Sequence, residues 1–213
     1  MAAPGRDCPL CPRLVACRGA LRQSRPDWFN APVPSFGDAE ARLLVVGLAP
    51  GVAGANRTGR PFTGDHAGEV LYPALLHHGF ARGTFRARPD DGLELVGCRI
   101  TNAVRCVPPQ NRPTGQEIVT CRQFLVDELA AGTVPEVVLA LGRIAYDSVL
   151  RALGQVPSHW PFAHGVVHAL PDGPVLAASY HTSRYNMNTG RLTEAMFDSV
   201  LARVAGLLQA RAA

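Results

Sequence analysis

Strand-like and helix-like segments alternate along most of this chain, and that alternation restricts it to a mainly parallel sheet covered by helices. RLLVVGLAP (residues 42–50) is a short apolar run of the kind a buried parallel strand shows, and DHAGEVLYPALLHH (65–78) after it has a helical pattern with Asp65 at its start. GCRITNAVRC (97–106) is a second strand candidate. TGQEIVTCRQFLVDELA (114–130) is a helix whose Thr114 and Glu117 have capping-box spacing. PEVVLALG and RIAYDSVLRAL repeat the strand–helix pair. HGVVHALPDGPVLAASYH predicts a hairpin that turns at PDG and ends at His181, and 189–210 predicts a closing amphipathic helix. Residues 1–41, rich in proline and arginine, read as an N-terminal arm with one short helix at 13–23. The expected fold class is α/β, a three-layer α/β/α sandwich in a single domain over 1–213. Ligands of such sheets bind beyond the carboxyl ends of the strands, which selects the loop after residue 47, Asn102 and His181.

Composition removes several chemistries. The chain has 213 residues, 47% of them hydrophobic, and a net charge of +4; all 21 basic residues are arginine. Without a lysine side chain there is no Walker-type phosphate grip and no lysine Schiff base. No apolar run approaches the roughly 20 residues that cross a bilayer, and MAAPGRDCPLCPR has no hydrophobic signal core, so the expectation is a cytoplasmic protein away from membranes.

Six cysteines, at 8, 11, 17, 98, 106 and 121, read as metal ligands or catalytic thiols rather than disulfides in such a chain. Cys8 and Cys11 form a C-x2-C pair, and Cys106 with Cys121 a second, wider one; four such thiolates suit either zinc or an iron–sulfur cluster. Cys98 falls in an apolar strand and reads as a buried thiol, while Cys17 is ambiguous. GLAPGVAGANRTGRPFTGD (47–65) holds five glycines, which bring backbone amides close to a ligand. It contains neither GxxxxGK[ST] nor GxGxxG. It ends on Phe62, flanked by Pro61 and Thr63, and on Asp65, whose ordinary role there is helix capping. The loop after His181 offers Arg184 and Arg191 for phosphate contacts.

Taken together, CPLC, GLAPGVAGANRTGRPFTGD, ITNAVRCVPPQNRPT with CRQFL, ALG and YHTSRYNMNTGRLT resemble the uracil-DNA glycosylase superfamily, most closely its family 5, the broad-specificity iron–sulfur branch. The likeness spans nearly the whole chain. It implies a central four-stranded sheet and a 4Fe-4S cluster on Cys8, Cys11, Cys106 and Cys121. It also implies a base-excision repair hydrolase that flips uracil, and other deaminated or modified bases, out of DNA and cuts the N-glycosidic bond.

By that resemblance Gly47, Leu48 and Phe62 hold the flipped base, Asn102 reads its edge, and His181 stabilises the charge on the departing base. Arg57, Arg184, Tyr185, Asn186, Met187 and Arg191 would contact DNA, with Tyr185 or Met187 as the wedge. Better-known branches carry an acid where this chain has Leu48. Family 5 shares that loss, and Asp65 is the implied substitute. With no lysine amine, an abasic site is the expected product, and a monomer bound to DNA at the nucleoid the expected form. The competing expectation is a non-catalytic damage-binding or redox-sensing module on the same fold.

Overall fold

The computed structural model describes residues 3–130 and 134–211; Met1, and with it the terminal amine, lies outside them. In chain order the helices are α1 (Pro12–Ser24), α2 (Ala55–Thr58), α3 (His66–His77), α4 (Gly115–Ala130), α5 (Arg143–Ala152), α6 (Arg184–Asn188) and α7 (Glu194–Ala210). The strands are β1 (Phe36–Gly37), β2 (Leu43–Gly47), β3 (Ala81–Arg82), β4 (Glu94–Leu95), β5 (Cys98–Asn102), β6 (Val137–Leu141), β7 (Val167–Ala169) and β8 (Val175–Ser179).

The expected four parallel strands, β5, β2, β6 and β8, form the centre of the sheet. It is extended to six by short antiparallel edges, β1 on β5 and β7 on β8. Side chains alternate between two buried layers. Leu43, Val45, Ile100, Leu139 and Ala177 pack beneath α3 and α7, whereas Leu44, Val46, Val138, Ala140 and Leu176 pack beneath α4 and α5. Burial on both faces is why β2 and β6 read as continuous apolar runs instead of alternating ones. The register sets Gly47 beside Asn102 and Leu141 beside Ser179, so the strands end level and their following loops share one edge.

Three boundaries differ from the sequence reading. The hairpin's second strand ends at Ser179, leaving His181 in the loop beyond it. The last helix begins at Glu194 because Thr193 caps it, its hydroxyl accepting from the Met196 amide at 3.2 Å. The segment before it forms the separate short helix α6, capped by Ser183. The Thr114–Glu117 box forms reciprocally: the Thr114 amide donates to Glu117 Oε2 at 2.7 Å and the Glu117 amide to Thr114 Oγ1 at 3.2 Å. Among the described residues no helix is long and apolar enough to cross a membrane.

Candidate active site

Beyond Gly47 the chain stays tied to its neighbour strand, the Gly47 and Leu48 carbonyls accepting from the amides of Ala103 and Val104 at 2.9 Å. It then turns through α2, a helix the composition of the loop did not reveal. α2 is pinned from behind by the arm. Buried Asn56 donates through Nδ2 to Asn30 Oδ1 at 2.9 Å, and Asn30 in turn donates to the Arg25 and Leu21 carbonyls at the end of α1.

The glycines of this loop make room for particular side chains. A Cβ at Gly47 would lie 2.6 Å from the Phe62 ring and against the Asn102 amide oxygen; a Cβ at Gly51 would lie 2.8 Å from Asp65 Oδ2, and one at Gly54 closer still. Asp65 therefore has two environments. Oδ1 accepts from the Gly68 amide at 3.4 Å as the cap of α3, while Oδ2 faces the glycine loop. Burial pushes its carboxyl above the ordinary carboxylate value, the amides of Gly68 and Ala67 opposing the rise.

Phe62 is 6% exposed and adopts φ +52°, a left-handed conformation that bulky residues rarely hold. Its ring stacks on His181, with centroids 5.8 Å apart and planes at 27°. His181 is half-buried, and desolvation pushes its imidazole down to about 4, so it is neutral at pH 7. Two bonds fix the backbone on which it stands: Asn186 Nδ2 donates to the His181 carbonyl at 2.8 Å, and Thr182 Oγ1 to the Ala67 carbonyl at 3.1 Å.

Phe62, Asp65, Asn102 and His181 thus surround one small recess with Ala49, Pro50 and Gly51. Asn102 is 4% exposed, yet among the described residues neither its amide nor the His181 imidazole is hydrogen-bonded through its side chain. Both side chains line the recess with their hydrogen-bonding groups free to meet a molecule that enters it. The recess shares Ala49, Gly51, Asp65 and His181 with a cleft of about 580 Å³ that also takes in Leu48, His66, Ser183 and Arg184. A second cleft, of about 270 Å³, lies on the other side of Leu48 and His181 and holds Tyr180, Asn186 and Arg191.

Of the residues named for DNA contact, Arg184, Asn186 and Arg191 line these clefts, whereas Arg57, Tyr185 and Met187 line neither. Tyr185 stands 72% exposed at the tip of α6, whereas Met187 packs partly against the core. Arg191 lies over the Tyr180 ring at 4.6 Å, and Arg57 donates to the Gly64 carbonyl at 3.4 Å. The sequence reading did not identify His66 or Asn111 as cleft residues. An acid beside a histidine, or an asparagine in a proline-rich loop, carries no periodic signal of its direction.

Cys8, Cys11, Cys106 and Cys121 line one enclosed cavity with Leu14, Arg18 and Phe124, while Cys98 is wholly buried in β5 and Cys17 lies outside the lining. No three sulfurs of the described cysteines lie within 4.8 Å of one another. A single tetrahedral ion with 2.3 Å bonds would hold its sulfurs about 3.8 Å apart, closer than any three of these stand. Buried Arg18 donates to Cys106 Sγ at 3.8 Å and to the Cys8 carbonyl at 3.0 Å, and the Arg105 amide donates to Cys121 Sγ at 3.3 Å.

Residues 34–205 match the family model of the Uracil DNA glycosylase superfamily. The chain is 51% identical over 211 residues to the Type-5 uracil-DNA glycosylase of Thermus thermophilus, with 94% of each chain covered. It is 44% identical over 204 residues to the Type-5 uracil-DNA glycosylase of Pyrobaculum aerophilum, covering 93% of this chain and 88% of the relative. A Type-4 uracil-DNA glycosylase of Archaeoglobus fulgidus is 36% identical over 134 residues, 62% of this chain and 57% of the relative.

Proposed function

The chain belongs to the uracil DNA glycosylase superfamily, and from that premise we propose that its recess receives a uracil turned out of DNA and hydrolyses the bond joining it to deoxyribose. One observation carries the residue assignment: Asn102 and His181, whose side chains hydrogen-bond to no other described residue, share the recess with the buried Phe62 ring and the Asp65 carboxylate.

In this reading the base lies on Phe62, a contact of about 1–3 kcal/mol in single-strand systems. Asn102, able to donate and accept, pairs with the pyrimidine edge. Neutral His181 donates an N–H toward O2 of the base. As the C1′–N1 bond breaks, its electron pair leaves with the base, and this donor stabilises the resulting anion. Water adds to C1′ from the opposite side, its proton passes to the Asp65 carboxylate and is returned through solvent to the base anion, and the products are free base and an abasic site. Leu48, which lines both clefts, supplies no proton acceptor, and Asp65 takes that task at the recess mouth. Tyr185 fills the space left in the duplex, and Arg184 and Arg191 meet phosphates beside it.

Cys8, Cys11, Cys106 and Cys121 would hold a 4Fe-4S cluster. What supports the fit is an all-sulfur donor set around an enclosed cavity, a spacing wider than one ion needs, and donors aimed at two of the sulfurs. Bound there, the cluster would cross-link the arm to the loop before α4 and to α4 itself. Protein purified anaerobically is expected to be brown, with a broad absorption near roughly 400 nm; a colourless protein with stoichiometric zinc would refute the cluster.

The test of the function is single-turnover incubation with a uracil-containing oligonucleotide, then alkali. Strand cleavage at the uracil is expected from the wild type and is expected to drop steeply with Asp65→Ala while DNA binding persists. An Asp65→Ala rate equal to wild type would remove Asp65 from the chemistry.

A further inference from the structure

Phe62 is held in its left-handed conformation by a buried network with no direct access to DNA. Arg60 immediately precedes the Pro61–Phe62–Thr63 turn, and its side chain is 5% exposed. Its two terminal nitrogens donate to the two carboxylate oxygens of Asp91, each at 2.8 Å, and its Nε donates to Thr63 Oγ1 at 2.8 Å. The Asp91 side chain is wholly buried and also accepts from the amides of Arg86 and Leu93. The guanidinium sits among three rings, 5.2 Å from Phe36, 5.3 Å from Tyr72 and 5.9 Å from Phe85. On the other side of the turn the Tyr72 hydroxyl donates to the Pro61 carbonyl at 2.6 Å, and Thr63 Oγ1 donates to the same oxygen at 3.1 Å.

The network thus grips the residues immediately before and after Phe62. A bulky residue at φ +52° persists only where its surroundings over-determine it, and the over-determining contacts here fall on its two neighbours. Arginine is required by the geometry, since a planar fork engages both oxygens of Asp91 while the Nε side remains free for Thr63. A lysine would supply a point charge with no fixed direction.

We infer that the buried Asp91–Arg60–Thr63 clamp, completed by the Tyr72 hydroxyl, is a positioning device that aims the Phe62 ring into the recess and so governs the rate of base excision without touching DNA. The inference rests on the proposed role of Phe62 as the surface on which the base stacks. It also assigns a purpose to the β3–β4 excursion, which carries Asp91 to a place beneath the site loop.

The test is a set of double-mutant cycles in the full-length, cluster-loaded protein. Tyr72→Phe removes one bond of the clamp, Thr63→Val removes two, the one it accepts from Arg60 and the one it donates to the Pro61 carbonyl, and Asp91→Asn removes the charge. Each is expected to lower the single-turnover excision rate about tenfold, as a misaimed group at a reacting centre does, with affinity for the uracil-containing duplex unchanged. In a Phe62→Ala background the same substitutions are expected to change the rate by less than about twofold, because the ring they aim is gone. A merely structural clamp would give the same loss in both backgrounds, and that result would overturn the inference. So would full activity in folded Tyr72→Phe and Thr63→Val, which keep the test decisive if Asp91→Asn does not fold. A wild-type protein unable to release uracil would instead overturn the functional reading beneath it.

Discussion

Asp65 divides its carboxyl between two tasks, capping α3 through Oδ1 and facing the glycine loop through Oδ2. Gly54→Ala would set a methyl against Oδ2, so its excision rate is expected to fall toward that of Asp65→Asn although no polar group is lost; single-turnover kinetics of both variants check this. In the proposed mechanism water activation needs the ionised carboxylate, and burial raises its pKa. The acid limb of kcat/KM should therefore lie above the ordinary carboxylate range, and Asp65→Asn should flatten that limb while lowering the rate about 10²-fold. His181 works in the other direction on stability. Its value falls from 6.5 to about 4 on folding, so between those limits the unfolded chain binds more protons. Stability is expected to be complete above about 6.5 and to be lost progressively as the pH falls toward 4. Urea unfolding at pH 7 and pH 5 measures this, and His181→Gln should reduce the slope.

Helix α4 joins the arm to the sheet through its first turn. Glu117 closes the capping box with Thr114 and also receives Arg13 of α1, whose Nε and a terminal nitrogen donate at 2.8 and 2.7 Å. Thr114→Ala is expected to cost about 1 kcal/mol in urea unfolding, the usual worth of an N-cap. Glu117→Ala should cost more, because it also leaves Arg13 without its partner, and should quicken cleavage of the arm in limited proteolysis. The box was legible in the sequence because both partners fall within one turn, and the parallel strands because burial on both faces leaves unbroken apolar runs. Short or distant features were not legible. β1, β3 and β4 have two residues each, too few for any periodicity. Arg60 and Asp91 are 31 positions apart, and nothing local to either marks the pair. The site residues Asn102 and His181 were locatable from strand ends, whereas the left-handed Phe62 depends on that distant clamp.

At the scale of the whole molecule, the proposed function makes the exposed arginines around the two clefts, Arg184 and Arg191, the source of salt sensitivity in DNA binding. Arg184→Ala is expected to weaken binding to any sequence and to reduce the slope of log affinity against log salt by about 1, measurable by fluorescence anisotropy. The arm reaches the site from two directions that differ in chain separation. Asn30 meets Asn56 across 26 residues, whereas Arg13 meets Glu117 across 104. During synthesis the first contact can form while most of the chain is still unmade, but the second must wait for α4 to leave the ribosome. The loop that shapes the recess is therefore anchored early to an arm whose own anchor arrives late, so the site is completed only after the middle of the chain has been made.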